Sequence, residues 1–241
     1  MKIVLVGYGK MGKEIEKIAL ERGHQIIATI DNTEDWTTKT ESIQSADVAI
    51  EFSVPKAAYN NICNCINSTL PVVVGTTGWY DHFDEIVDKC KDKGSALLYG
   101  SNFSIGVNIF FEINKKLSKL ISQYPEYSAH VEETHHTEKL DAPSGTAISI
   151  GEQLIDNNSN YNKWELSEDL KTDNEKTLPI KANRIENIPG THSVTWDSEI
   201  DEINISHRAK SRKGFALGAV LAAEFIHNKK GVFTMKDLLD L

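Results

Sequence analysis

The chain has 241 residues, 40% of them hydrophobic, enough to bury one large core or two smaller ones. With 35 acidic against 26 basic residues and a formal net charge of −9, it is not built as a general binder of nucleic acid or anionic membranes, so an anionic ligand must be met by local cations and helix ends. No apolar run can span a bilayer, no leader is expected because Met1-Lys2 opens directly into a strand pattern, and Cys63, Cys65 and Cys90 lie in helical patterns as reduced thiols of a cytosolic protein, a poor zinc set.

The first predicted strand, 2–6, runs straight into Gly7-Tyr8-Gly9-Lys10-Met11-Gly12, a G-x-G-x-x-G loop. A helical pattern through Ile15, Ile18 and Ala19 follows, and a second strand, 25–30, ends on Asp31, 19 positions after Gly12. This is a dinucleotide-binding fingerprint in its required context. Gly7 permits the tight turn, Gly9 lets the backbone approach a pyrophosphate, and Gly12 lets the helix pack on the strand. The helix N-terminus offers N–H groups to the anion, and Asp31 can take both ribose hydroxyls. The bland alternative is a βαβ unit with a Gly-rich turn and no nucleotide.

Further strands are predicted at 47–52, 71–75 and 96–100, alternating with helices near 10–22, 55–68 and 79–93. Pro55 suits a first helical turn and Gly94 a helix end. The strands are apolar runs, as expected of a parallel, doubly wound α/β sheet covered on both faces. Ligands of such sheets bind beyond the carboxyl ends of the strands. Those ends here carry Glu51-Phe52-Ser53, Gly75-Thr76-Thr77-Gly78 and Gly100-Ser101-Asn102-Phe103, small and hydroxylated residues against which a flat nicotinamide can lie. Ordinary turn chemistry uses the same residues.

After Asn102 the pattern changes. A long helix is predicted over 105–122, a strand over 128–133, a loop from His135 to Thr146, and a helix from Thr146 to Asn157. Residues 157–178 read as a polar, exposed excursion, followed by strands at 180–188, 192–198 and 202–208 in an antiparallel or mixed sheet, and a final amphipathic helix, 214–228, able to return to the first domain. His135-His136-x-x-Lys139 is the densest chemical cluster. A histidine moves a proton near neutral pH, a lysine supplies a proton or a charge for a carboxylate, and Pro143-Ser144-Gly145-Thr146 opens a helix as a second anion cradle. His130, Glu132, His135 and His136 also allow a metal reading, and plain surface or core histidines a third. The basic run His207-Arg208-Ala209-Lys210-Ser211-Arg212-Lys213 either joins this site or is a solvated turn; Pro189-Gly190-Thr191-His192 reads as a structural turn.

Over nearly its whole length the chain resembles the 4-hydroxy-tetrahydrodipicolinate (dihydrodipicolinate) reductase family. Residues 133–147 are similar to the signature E-x-H-H-x-x-K-x-D-A-P-S-G-T-A, Ser101 to Asn108 and Gly75 to Gly78 resemble the nicotinamide-side motifs, and Phe215-Ala216-x-Gly218-Ala219 the C-terminal pattern. The resemblance implies an NADH- or NADPH-dependent, metal-free, cytoplasmic oxidoreductase of lysine and diaminopimelate synthesis, reducing a small cyclic dicarboxylate to tetrahydrodipicolinate with loss of water. The implied fold is a Rossmann domain, 1–104 completed by 213–241, plus a smaller α+β substrate and oligomerisation domain, 105–212, whose mixed sheet builds a homotetramer. By motif, His135 is the proton donor or acceptor and Lys139 a proton donor; His136, Gly145 and Thr146 bind substrate. Gly7, Tyr8, Gly9, Lys10, Met11, Gly12, Asp31, Gly75, Thr76, Thr77, Gly100, Ser101, Asn102 and Phe103 bind the cofactor, with Arg212 in a lesser, orienting role. The glycine loop is one residue shorter than the commoner form and has Lys10 in the place of Arg; Asn32 follows Asp31 where many relatives carry Arg. Asp31 favours an unphosphorylated ribose by bidentate hydrogen bonding and repels phosphate, Lys10 can offset that repulsion, and NADH is expected to serve at least as well as NADPH. A related dehydrogenase and a non-catalytic NAD(H) sensor are the alternatives.

Overall fold

The computed structural model describes residues 1–170, 172 and 174–241. In chain order the elements are β1 (Lys2–Val6), α1 (Lys10–Glu21), β2 (Gln25–Ile30), α2 (Asp35–Thr38), α3 (Thr40–Gln44), β3 (Val48–Glu51), α4 (Pro55–Asn67), β4 (Val72–Val74), α5 (Phe83–Lys93) and β5 (Ala96–Tyr99). Then come α6 (Ile105–Ile121), β6 (Ser128–His135), α7 (Gly145–Asn157), β7 (Lys163–Leu166), β8 (Thr177–Arg184), β9 (Gly190–Asp197), β10 (Glu202–Ala209), α8 (Lys213–Ile226), β11 (Gly231–Thr234) and α9 (Met235–Leu239). They form two compact units, Met1–Ile105 with Arg212–Leu241, and Gly106–Ser211.

The first unit is a six-stranded parallel sheet in the order β11-β5-β4-β3-β1-β2. Alternate residues of each strand feed opposite faces. Ile3, Leu5, Ile50, Val73 and Leu98 pack with α1 and α8, whereas Val4, Val6, Ala49, Val72, Val74 and Leu97 pack with α4 and α5. Each Val, Leu or Ile among them contributes about 1.5–3 kcal/mol by leaving water. Burial on both faces is why the strands read as apolar runs. The order reverses at β1, which lies between β2 and β3, so the loops after these strands splay apart and leave the crevice that such sheets use for ligands. Main-chain bonds align the strand-end loops at that edge: Gly7 N donates to Ile30 O (2.7 Å), Phe52 N to Val6 O (2.8 Å) and Gly75 N to Glu51 O (2.9 Å).

The second unit carries a mixed sheet in the order β10-β9-β6-β8-β7. β9 is antiparallel to β6 and β10, while β8 is parallel to β6 and β7. Its core joins Ala129, Val131, Ile180, Val194 and Trp196 of the sheet to Phe110 of α6 and Ile150 and Leu154 of α7.

The elements differ from the sequence reading most in five places, and in addition β8 is shifted, ending at Arg184 where the strand was expected to reach 188. Helices α2 (Asp35–Thr38) and α3 (Thr40–Gln44) form where no element was predicted. The first turn of the 79–93 helix is a separate 3-10 turn, Tyr80–His82. β6 runs on to His135, so this residue ends a strand instead of opening a loop. The polar stretch 157–178 contributes β7 and buries Asn158 and Tyr161; residues 171 and 173 of it lie outside the described residues. The C-terminal tail adds β11, a sixth parallel strand whose pairing to β5 no local periodicity announces. Among the described residues no helix is long and apolar enough to cross a membrane.

Candidate active site

In the first unit the glycine loop is shaped by close approach. Gly7 has φ +89°, and a Cβ on it would fall 2.3 Å from Phe52 O. A Cβ on Gly12 would fall 2.3 Å from Gly7 O, so α1 can lie on the loop only without a side chain there. A Cβ on Gly9 would meet no atom within 4 Å, so the loop opens onto free space at its middle. Gly9 caps α1 with no side-chain hydrogen bond, and the first turn of α1 has no acidic residue. An uncapped helix start beside open space suits a pyrophosphate, so the residues present fit a dinucleotide. Tyr8 N donates to Asp31 Oδ1 (3.1 Å), and the Tyr8 hydroxyl donates to Glu16. Lys10 and Asp31 are exposed, and Met11 is half-buried.

The other strand ends differ in how they expose their residues. Thr77 and Ser101 are exposed, and Asn102 is half-buried with its Oδ1 accepting from Ser104 N (2.9 Å). Thr76 is buried, and its Oγ1 accepts from Ser53 N (2.8 Å). Phe103 is 1% exposed, its ring 5.4 Å from that of Phe52, so only its main chain can face a ligand. A Cβ on Gly75 would strike the Phe52 ring at 2.1 Å, while Gly100 makes only ordinary contacts. Glu51 is fully buried; its Oε1 accepts from Ser53 Oγ and Asn61 Nδ2, and burial pushes its carboxyl above the usual range.

In the second unit the alternation of β6 sends Ala129, Val131, Glu133 and His135 to the buried face and His130, Glu132 and Thr134 to the other. That keeps His130 and Glu132 on one face and turns His135 to the other, and among the described residues the set His130, Glu132, His135 and His136 does not converge as a metal-ligand group. Glu133, with no side-chain exposure, becomes the centre. Its Oε1 accepts from Ser144 N (2.9 Å) and lies 3.4 Å from Arg184 Nη2. Its Oε2 lies 3.2 Å from His135 Nδ1 and 3.6 Å from His192 Nε2. Burial alone would raise the Glu133 carboxyl, but His135, His192 and Ser144 together outweigh it and hold the group below the usual carboxylate range. Burial lowers His192, against the pull of Glu133. Glu133, His135 and His192 bring ligand atoms within 4.8 Å of one another, but the Arg184 guanidinium and the Ser144 amide already supply positive charge to this carboxylate.

Arg184 also fastens the loop after β6. Nη2 donates to Asp141 O (2.6 Å) and Nε to Lys139 O (3.3 Å). Lys139 Nζ contacts both oxygens of exposed Asp141 at 2.8 Å, and this pairing lowers the Asp141 carboxyl. Ser144 caps α7, accepting from Ala147 N (3.2 Å), and exposed Gly145 has no atom within 4 Å of an added Cβ. Thr146 and His136 are half-buried, and Nδ1 of His136 is buried without a hydrogen-bond partner. The fold thus sets His135 and the start of α7 directly against one buried carboxylate and ties the Lys139 main chain to it through Arg184.

Glu133, Arg184 and His192 had no assigned role from the sequence. Glu133 was within reach, being two residues before His135 on a strand. Arg184 and His192 enter through register, opposite His135 and Glu133 respectively, and His192 is a buried residue of β9, as the 192–198 strand expectation has it and not as the end of the 189–192 turn. His207 faces His192 across β9 and β10, whereas Arg208, Lys210, Arg212 and Lys213 are exposed.

Sequence models described as dihydrodipicolinate reductase, N-terminus and C-terminus, match residues 1–103 and 106–239. A 4-hydroxy-tetrahydrodipicolinate reductase of Christiangramia forsetii is 50% identical over 239 residues, covering 99% of this chain and 98% of that protein. Among solved structures, a dipicolinate-bound dihydrodipicolinate reductase from Paenisporosarcina sp. TG-14 is similar with TM-score 0.75 at 18% identity, covering 97% of each chain. An amine dehydrogenase from Mycobacterium smegmatis shares the fold at TM-score 0.60 and 10% identity, covering 96% of this chain and 94% of that one.

Proposed function

The chain belongs to the dihydrodipicolinate reductase family, and from that premise we propose how its residues divide the work. The protein is an oxidoreductase of lysine and diaminopimelate synthesis, and it reduces 4-hydroxy-tetrahydrodipicolinate to tetrahydrodipicolinate with loss of water. A bound nicotinamide dinucleotide supplies the hydride. The observation that carries the reading is the buried Glu133–His135 pair beside Lys139 and the start of α7, all within the family's signature segment.

Residues 1–104 with 213–241 form the dinucleotide domain, and residues 105–212 the substrate and oligomerisation domain. The glycine loop and the α1 N-terminus hold the pyrophosphate, and Asp31 takes the adenosine ribose. Gly75, Thr76, Thr77 and the 100–103 loop border the nicotinamide, with Thr76 and Phe103 acting through backbone and packing. Lys139 and the Gly145–Thr146 amides hold the substrate's carboxylates, which displace the Asp141 carboxylate from Lys139 Nζ. His135, beside Glu133 at Nδ1, would take the ring proton and return it to the leaving hydroxyl as water departs, and Lys139 would give the single proton that the ring takes up after reduction. Arg212 orients this region. The sheet face of the second unit that carries His130, Glu132 and Thr134, not packed by α6 and α7, builds a homotetramer. The enzyme works in the cytoplasm, needs no metal, and uses NADH at least as well as NADPH, because Asp31 favours an unphosphorylated ribose.

The test couples the protein to aspartate semialdehyde, pyruvate and the condensing synthase and follows NADH or NADPH absorbance. Oxidation with both, and a catalytic efficiency for NADH no lower than for NADPH, is expected. No oxidation with either cofactor refutes the reductase; a strong NADPH preference refutes only the cofactor assignment.

A further inference from the structure

The turn after β2 is already occupied by an anion of the chain's own. Asp35 Oδ2 accepts from Asp31 N at 2.8 Å and Asn32 N at 3.3 Å, and Asp35 N donates in return to Asn32 Oδ1 at 3.0 Å. The other carboxylate oxygen, Oδ1, lies 2.8 Å from Lys39 Nζ, which also donates to Thr29 O at 2.6 Å. The Asp35 side chain is 14% exposed, so the arrangement is partly sheltered from solvent. The Asp31 amide and then Lys39 lower its carboxyl, so it stays charged near neutral pH.

These are the groups a 2′-phosphate would need. When a carboxylate at this strand end holds the ribose hydroxyls, a phosphate on the 2′ oxygen has to find main-chain N–H groups and a cation just beyond. Here the two N–H groups point at Asp35, and the cation is tied to it.

We propose that Asp35 is a specificity-determining residue of the cofactor site: its carboxylate fills the anion position that a 2′-phosphate would occupy and sequesters Lys39, the cation that would receive it. Asp31 favours the unphosphorylated ribose and adds like charge, and Asp35 completes the exclusion, since it consumes both the donors and the counter-charge. This rests on the dinucleotide reading above and assigns its selectivity to a residue outside the fingerprint.

The test is direct binding of ADP-ribose and 2′-phospho-ADP-ribose to the full-length protein by calorimetry, which needs no turnover. The parent protein should bind ADP-ribose at least about tenfold more tightly. Asp35→Ala should narrow that ratio by about tenfold through a gain for the phosphorylated ligand, with ADP-ribose changed less than about threefold. Adding Lys39→Met should abolish the gain. Asp35→Asn keeps an acceptor for the Asp31 amide and removes only the charge; it should narrow the ratio by at least about threefold, and it serves if the alanine variant does not fold. An unchanged ratio in a folded variant overturns the proposal, as does a gain that survives Lys39→Met. If the parent binds neither ligand, the dinucleotide reading fails; if it prefers the phosphorylated one, the NADH assignment fails, and the role of Asp35 falls with either.

Discussion

Arg184→Met removes a side chain that acts on both stability and chemistry. The guanidinium is the cationic partner of Glu133 at 3.4 Å and donates to the carbonyls of Asp141 (2.6 Å) and Lys139 (3.3 Å). Deleting one partner of a fully buried ion pair costs about 3–5 kcal/mol. The full value does not apply here. Arg184 is 21% exposed, its contacts to Glu133 are long, and the Ser144 amide remains on the same oxygen. The freed carbonyls can also turn to water. We therefore expect a loss of about 2–3 kcal/mol, or roughly 5–10 °C in melting temperature. Urea titration read by tryptophan fluorescence suits the measurement, because Trp164 and Trp196 both pack in the second unit's core. Turnover should fall by about a hundredfold, because the segment bearing Lys139 loses its anchor. ADP-ribose affinity should hold, since its predicted site lies in the other unit. A variant within about 1 kcal/mol of the parent that keeps its turnover would refute the clamp.

Three further outcomes follow from the same geometry. His135→Gln should reduce turnover by at least about a hundredfold with ADP-ribose affinity unchanged; equal losses in both would indicate a folding defect instead. Glu51→Gln should stabilise the protein at pH 8 but not at pH 4. Burial raises the folded Glu51 above the ordinary 4.5, so the unfolded chain releases this proton first and stability falls as pH rises from about 4.5 through the folded value. The variant lacks that loss, so a urea midpoint no higher than the parent's at pH 8 would sink the argument. Gly218→Ala places a Cβ 1.7 Å from Phe103 O, an overlap that must push α8 off the 100–104 loop. It should cost more than about 2 kcal/mol, and a melting temperature within 2 °C of the parent's would disprove the close approach.

The doubly wound sheet was legible because its signals are local. Apolar runs bounded closely by Gly or Pro mark β1 to β5, and the glycine loop is constrained by contacts within one βαβ unit, such as Gly12 against Gly7 O. Helices α2 and α3 were missed because they are four and five residues long and almost without buried side chains, so no periodicity develops. β11 is four half-buried residues, recognisable only once β5 offers an edge. Asp35 left no trace as a cofactor residue; its meaning lies in a carboxylate folding back onto the Asp31 and Asn32 amides.

By itself the sequence determined the strand-and-helix succession of the first unit, the family signature, and the candidates His135, Lys139, Gly145 and Thr146. These depend on spacings along the chain, which the residues carry with them. Only the tertiary structure decided which groups surround His135. Glu133 faces inward by strand alternation, but Arg184 and His192 arrive from β8 and β9 through register with β6. Register is set by how whole strands bury their apolar faces against α6 and α7, a condition spread over the second unit and written in no single segment.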